Sequence, residues 1–172
     1  MADLDVLLEA VRLKGLARAG WVRVGVPSAE SVAAHSWGIG WLVLALAPPG
    51  LDRGRMLAYA VLHDLPEVRV GDLTPEDGVG PDEKARRESA AARALLPLDL
   101  LALWDQYEAQ VDDEARFVRQ LDRVDMAIQA LAYAEEADTR PFVDSADRFV
   151  TDPHLRPLIE AIKARMPKAG SD

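Results

Sequence analysis

The chain has 172 residues, 49% of them apolar, with 20 Lys and Arg against 29 Asp and Glu and no cysteine. That length suits one domain with its own core, and a net charge of -9 repels nucleic-acid backbones and anionic membranes. The lack of cysteine excludes disulfides, thiolate zinc sites, iron–sulfur clusters and a cysteine nucleophile. The acidic start, Met1 to Asp5, is unlike a signal peptide, and the apolar stretch Trp37 to Ala47 is too short to span a bilayer. A soluble cytoplasmic domain is the expectation.

Nearly every segment reads as helix, and no convincing strand alternation occurs. Asp3 caps a first helix whose Leu4, Leu7, Leu8 and Val11 share one face, ending near Gly15. A loop follows from about Gly20 to Ala29 with Trp21, Gly25 and Pro27. Ser31 caps a second, very apolar helix that stops at Pro48-Pro49-Gly50 and should be the buried central one. Asp52 opens a third through Met56, Leu57, Ala60 and Val61 to His63, where Pro66 should end or kink it. After a loop from Gly71 to Gly80, Pro81 starts a fourth helix to about Leu96, and Pro97 to Glu108 reads as a fifth. Asp112 or Asp113 begins a long sixth helix with Phe117, Leu121, Val124, Ile128 and Leu131 as its apolar seam. Shorter helices follow Pro141 and Pro153. The fold class is all-α, a compact helical bundle.

Of three histidines, His154 reads as a surface residue. His35 sits one turn into the apolar second helix, and His63 ends the third, followed at once by Asp64, then Glu67 and Asp72. Taken singly, each histidine is more often a satisfied core residue than a ligand. The company changes that: four titratable groups fall within ten residues at the end of an apolar helix. Asp122 lies beside the seam of the sixth helix: it is exposed there, or, if buried, needs a cation, either Arg119, Arg123 or a metal. Two imidazoles with carboxylates suit Mn, Fe, Co, Ni or Zn better than Ca. Adjacent side chains on a helix diverge by about 100°, so His63 and Asp64 can meet one ion only where the helix ends. No Gly-rich phosphate loop, GxSxG elbow or HExxH motif is present.

The order His35, His63-Asp64, Asp122 resembles the metal signature of the HD-domain phosphohydrolases. The segments Leu13 to Trp21, Glu30 to His35, His63 to Glu67 and Gly71 to Pro75 resemble the 5′-deoxynucleotidase branch. That branch includes bacterial deoxynucleoside monophosphatases and a eukaryotic HD-domain-containing group. The likeness continues through Lys84, Glu88, Trp104 to Glu108 and Gln120 to Asp122, covering roughly residues 10 to 145. It implies one HD domain over residues 1–172, with C-terminal helices over 146–172. It also implies a divalent ion (Co, Mn, Mg, Ni, Fe or Zn) on His35, His63, Asp64 and Asp122. A second ion would sit near Glu67, Asp72 and the backbone of Leu73, or those two acids would orient water as catalytic groups. Arg18 would hold the phosphate, with Trp21 and Lys84 as further substrate contacts. Family members often have an acid where this chain has Ala34, and Ala or Ser where it has Pro66.

The implied reaction is hydrolysis of a 2′-deoxynucleoside 5′-monophosphate by an in-line water. Trp21 or Trp37 could form a wall against a ribose hydroxyl, although core packing is the favoured role for Trp37. The expected partners are a small nucleotide and a second copy of the chain, with no nucleic acid or membrane. Other readings are an HD triphosphohydrolase or cyclic phosphodiesterase, or a non-catalytic metal-binding module.

Overall fold

The computed structural model describes residues 3–167, so the outermost residues of the expected single domain, 1–2 and 168–172, lie outside it. Its described residues are all-α: no strand forms, and one isolated antiparallel bridge joins Ala17 to Ser31. The helices are α1 (Leu4–Val11), α2 (Ala19–Arg23), α3 (Val32–Leu46), α4 (Arg53–Leu62), α5 (Glu67–Val70), α6 (Pro81–Leu95), α7 (Leu98–Glu108), α8 (Asp113–Ala132), α9 (Arg140–Phe149) and α10 (Arg156–Arg165). Short 3-10 turns cover Arg12–Gly15 and Pro75–Asp77.

Local chemistry sets the helix starts. The side chains of Ser31, Asp52 and Asp112 accept hydrogen bonds from the backbone of Ala34, Arg55 and Ala115, satisfying donors that a helix start leaves open. Pro81 begins α6 where a missing N–H costs nothing.

The main core joins α3, α4 and α8 through Ile39, Leu42, Val43, Met56, Tyr59, Phe117, Val118, Leu121 and Val124. Each such side chain contributes about 1.5–3 kcal/mol when fully buried. A smaller cluster of Leu62, Ala92, Leu95, Leu96 and Trp104 clamps the end of α4 between α6 and α7. Along α8 the seam is tighter than its sequence pattern suggested, because Ile128 remains partly in water while Ala127 and Ala130 are buried.

Three expectations need correction. Part of the Gly20–Ala29 stretch is not loop but the single-turn helix α2, held because Trp21 packs on Phe142 and Tyr133. The α1 stripe of Leu4, Leu7, Leu8 and Val11 faces solvent. That helix docks by its other side, through Val6 and a two-pronged bond from Arg69 to Glu9 (both 2.7 Å). Helix α3 is central yet not buried all round: Trp37, favoured as a core residue, is exposed together with Trp41 and Leu44. Helical spacing states which side chains share a face, not which of two apolar faces meets the chain's own core.

Candidate metal centre

Three helices deliver the site. One turn into α3, His35 points inward; His63 and Asp64 follow the last residue of α4; Asp122 projects from the middle of α8. The imidazole centroids of His35 and His63 are 5.6 Å apart. His35 Nε2 lies 3.2 Å from Asp122 Oδ1 and 3.9 Å from Asp64 Oδ2, and His63 Nε2 lies 3.0 Å from Asp64 Oδ2. Ligand atoms of His35, His63 and Asp64 all fall within 4.8 Å of one another.

The outer nitrogens are already engaged. His63 Nδ1 donates to the Ala60 carbonyl at 3.0 Å, and His35 Nδ1 donates to Asp125 Oδ2 at 2.8 Å. Those bonds fix each ring with its Nε2 lone pair facing inward, the tautomer a metal ligand needs. Both Nε2 atoms are buried and make no hydrogen bond. A buried nitrogen without a partner costs stability unless something fills the space before it. A divalent cation fits that donor set.

The electrostatics agree. Burial and the Arg18 guanidinium push the His35 imidazolium down, but the carboxylates of Asp122 and Asp125 outweigh them and lift it to about 9. Burial alone would raise Asp64 and Asp122. Instead His63, Arg18 and His35 hold Asp64 well below the usual carboxylate range, and His35 and Arg123 do the same for Asp122. The cleft therefore keeps two carboxylates ionised beside two imidazoles, and a divalent cation can take the place of the proton on His35.

Around this centre the other predicted residues fall unevenly. Arg18 reaches Asp64 at 3.4 Å and Asp72 at 3.6 Å, bridging the two acids. The other Asp72 oxygen accepts from the Ala19 backbone at 2.7 Å, which fixes the start of α2. Glu67 is 3% exposed, its Oε2 has no partner, and burial with Asp64 and Asp72 pushes its carboxyl up to about 10. The Leu73 carbonyl already accepts from Lys84 Nζ at 3.0 Å, and that ammonium also lies 3.5 Å from Glu88. Lys84 is thus committed to the loop below the site. Trp21 departs most from expectation: only 2% exposed, it donates Nε1 to Glu30 and stacks on Phe142 with centroids 4.2 Å apart. It supports α2 from within and has no face free for a nucleotide. His154 is exposed, as expected.

Two residues escaped the sequence reading. Asp125 stands three positions after Asp122, so helical spacing places both on neighbouring lines of α8 and could have pointed to it. Gly38 stands three after His35, and a Cβ there would collide with the Asp125 carboxylate, so the bare backbone of α3 is what admits that acid. Of the two arginines considered for Asp122, Arg123 Nε comes within 4.0 Å, while Arg119 turns to Glu108 and the face of Tyr107.

An all-helical fold that converges histidines from two helices with an adjacent His-Asp pair and a distant Asp defines a class, and the chain belongs to the HD-domain family, whose model matches residues 10–162. It is 34% identical over 165 residues to the 5′-deoxynucleotidase HDDC2 of Bos taurus, covering 89% of this chain and 80% of that protein. It is 36% identical over 133 residues to the 5′-deoxynucleotidase hdd1 of Schizosaccharomyces pombe, covering 71% of this chain and 67% of that one. Among solved structures, a conserved hypothetical protein from Pyrococcus furiosus superposes with a TM-score of 0.82 at 29% identity, over 94% of this chain and 99% of that one. The cyanophage S-2L HD phosphohydrolase DatZ, solved with dA and one catalytic zinc ion, superposes with a TM-score of 0.64 at 20% identity, over 91% and 96%, which speaks for the fold alone.

Proposed function

We propose that the protein is a metal-dependent 5′-deoxynucleotidase, converting a 2′-deoxynucleoside 5′-monophosphate and water to the deoxynucleoside and phosphate. The observation that carries this reading is the pair of buried, unbonded Nε2 atoms converging on Asp64 and Asp122 beside Arg18. The kinship with proteins named 5′-deoxynucleotidase supports the substrate class.

His35, His63, Asp64 and Asp122 hold a divalent ion, with Mn, Co, Zn, Fe, Ni and Mg as candidates. When bound, that ion supplies Lewis acidity, lowering the pKa of a water and offsetting phosphoryl charge. Arg18 binds the phosphate. Neither of its contacts to Asp64 and Asp72 is short, so most of its five donors remain available to phosphoryl oxygens. Protonated while Asp64 and Asp72 stand uncompensated, Glu67 would be ionised once a cation offsets those acids, and its carboxylate then takes a proton from the attacking water. The water oxygen bonds to phosphorus as the P–O5′ bond breaks, and O5′ leaves carrying the proton that Glu67 took from the water. Asp72 orients Arg18 through its fixed carboxylate. The Leu73 carbonyl and Lys84 shape the same loop, where Glu67 and Asp72 could hold a second ion. We place the enzyme in the cytoplasm, acting as a homodimer.

Phosphate release from deoxynucleoside and ribonucleoside monophosphates, triphosphates and a cyclic nucleotide, assayed with Mn and Co, tests the proposal. Preferred turnover of deoxynucleoside monophosphates is expected. Preference for triphosphates or cyclic substrates would assign a different HD reaction, and no release from any would leave a metal-binding module.

A further inference from the structure

Helix α7 grips His63 at two points. Trp104 donates its Nε1 to the His63 carbonyl at 3.1 Å. One turn later on the same side of α7, the Tyr107 ring stands edge-to-face against the imidazole, with centroids 5.7 Å apart. Tyr59 and Arg119 complete the clamp. The Tyr59 ring lies 5.8 Å from that of Tyr107, and the Arg119 guanidinium sits 4.9 Å over the Tyr107 face. Tyr107 is only 2% exposed, so its ring is fixed by packing on every side.

That clamp presents a hydroxyl without a partner. Among the described residues no hydrogen bond includes the Tyr107 oxygen, yet the oxygen is not sealed from solvent. Tyr59 is the contrast: its hydroxyl accepts from Arg55 and donates to Asp112, both at 2.8 Å. A hydroxyl held unbonded in a packed wall costs stability, and the cost is recovered only when an acceptor enters beside it. Its surroundings say which acceptor. Burial raises the phenol well above its usual value, and the charges that act on it are, in order, those of Asp122, Arg119, Asp64 and Glu108. Two of these belong to the metal centre. Arg18 reaches the same cleft by way of Asp64 and Asp72.

We propose that the Tyr107 hydroxyl donates a hydrogen bond to a phosphoryl oxygen of the substrate, a contact from α7 that complements the one from Arg18. It rests on the reaction given above, in which a phosphate monoester meets an ion on His35, His63, Asp64 and Asp122. Three features favour a phosphoryl oxygen over the sugar or the base. The hydroxyl stands beside the carboxylates that hold the ion, and the ion draws the phosphoryl group to that spot. Asp64 and Asp122 are committed to the ion when it is bound, so the phosphoryl oxygens become the charged acceptors within the cleft, and these make the strongest bonds with a neutral donor. The cationic side chains on this side are already engaged, Lys84 with the Leu73 carbonyl and Arg119 with Glu108, which leaves the Tyr107 hydroxyl as the donor that α7 offers.

The test is the affinity of the manganese-loaded protein for inorganic phosphate by isothermal titration, with thymidine titrated alongside as the sugar-and-base probe. Tyr107→Phe removes one oxygen that bonds nothing in the folded chain, so manganese stoichiometry and thermal stability should be kept. Phosphate affinity should fall roughly 10- to 100-fold, the weight of a hydrogen bond to a charged group, with thymidine binding unchanged. Tyr59→Phe is the control: it strips a bonded hydroxyl remote from the ion, so it should melt earlier and bind phosphate like the wild type. Phosphate affinity in Tyr107→Phe equal to wild type overturns the proposal, as does a loss confined to thymidine or a wild type that binds no phosphate. A Tyr107→Phe protein that loses its ion or its stability together with phosphate affinity overturns it too, by making the residue structural. Phosphate binding is read without turnover, so its outcome is separate from that of the substrate panel, which alone decides between a 5′-deoxynucleotidase and another HD reaction.

Discussion

Asp125 grips Nδ1 of His35 at 2.8 Å, and it reaches that nitrogen only because residue 38 of the facing helix has no side chain. Asp125→Asn should therefore loosen the ring and lower metal affinity or turnover about 10- to 100-fold, the usual weight of a partner behind a metal-binding histidine. Gly38→Ala is the sharper experiment. In a helix interior this change ordinarily stabilises by about 0.5–1 kcal/mol, whereas here it should push Asp125 away and reproduce the Asp125→Asn loss without altering an ionisable group. Isothermal titration of Mn into both variants decides; a Gly38→Ala protein that binds like wild type would show the contact to be incidental.

His63→Ala and Asp64→Ala should each abolish tightly bound metal while leaving the helical spectrum intact. Their side chains face the cleft rather than the main core, and the remaining ligands cannot close the site. Metal analysis of the purified variants checks this, and wild-type stoichiometry in either would remove the assignment.

Arg18→Ala should raise KM and lower kcat for a deoxynucleoside monophosphate, since a guanidinium on the phosphate serves ground and transition states alike. The ion should be retained, because removing a positive neighbour leaves Asp64 and Asp72 more attractive to it. Unchanged kinetics would limit Arg18 to bridging those two acids.

Glu67→Gln should keep the ion on His35 and His63 but lose roughly two to four orders of magnitude in kcat, the range of general base catalysis. In metal-free protein the same change should stabilise. The Glu67 carboxyl is raised from 4.5 to about 10 by burial and its acidic neighbours, so the folded chain keeps a proton that the unfolded chain gives up. Stability conferred by the folded state thus falls as pH rises from 4.5, by up to about 3 kcal/mol at pH 7. Glutamine removes that slope. Denaturant titrations of both proteins with chelator at pH 5 and pH 7 measure it, and parallel pH profiles would refute the buried-acid account.

Helix starts and the partners on one helix were readable from sequence because they are local: Ser31, Asp52, Pro81 and Asp112 each begin a helix where their chemistry demands. The convergence of His35, His63, Asp64 and Asp122 was anticipated through a resemblance, since free gaps along the chain do not state distances. What remained hidden is long-range. Nothing near Trp21 says that Phe142 and Tyr133 will cover it, and nothing near Leu73 says that Lys84 will claim its carbonyl. The outward turn of α1 and of Trp37 follows from which neighbour each helix meets, which spacing within a helix cannot contain.

His63 closes α4 with its backbone as well as facing the cleft. Its N–H donates to Tyr59 at 3.0 Å, its carbonyl accepts from Trp104 Nε1 at 3.1 Å, and its ring is tied to Ala60. Turning the ring away from the cleft breaks its bond to the Ala60 carbonyl, which lies in the last turn of α4. A filled site should therefore hold that turn closed, and its occupancy should be legible as protection of local structure. Amide hydrogens at the end of α4 should exchange more slowly as metal is added, while those at the start of α4 should not respond.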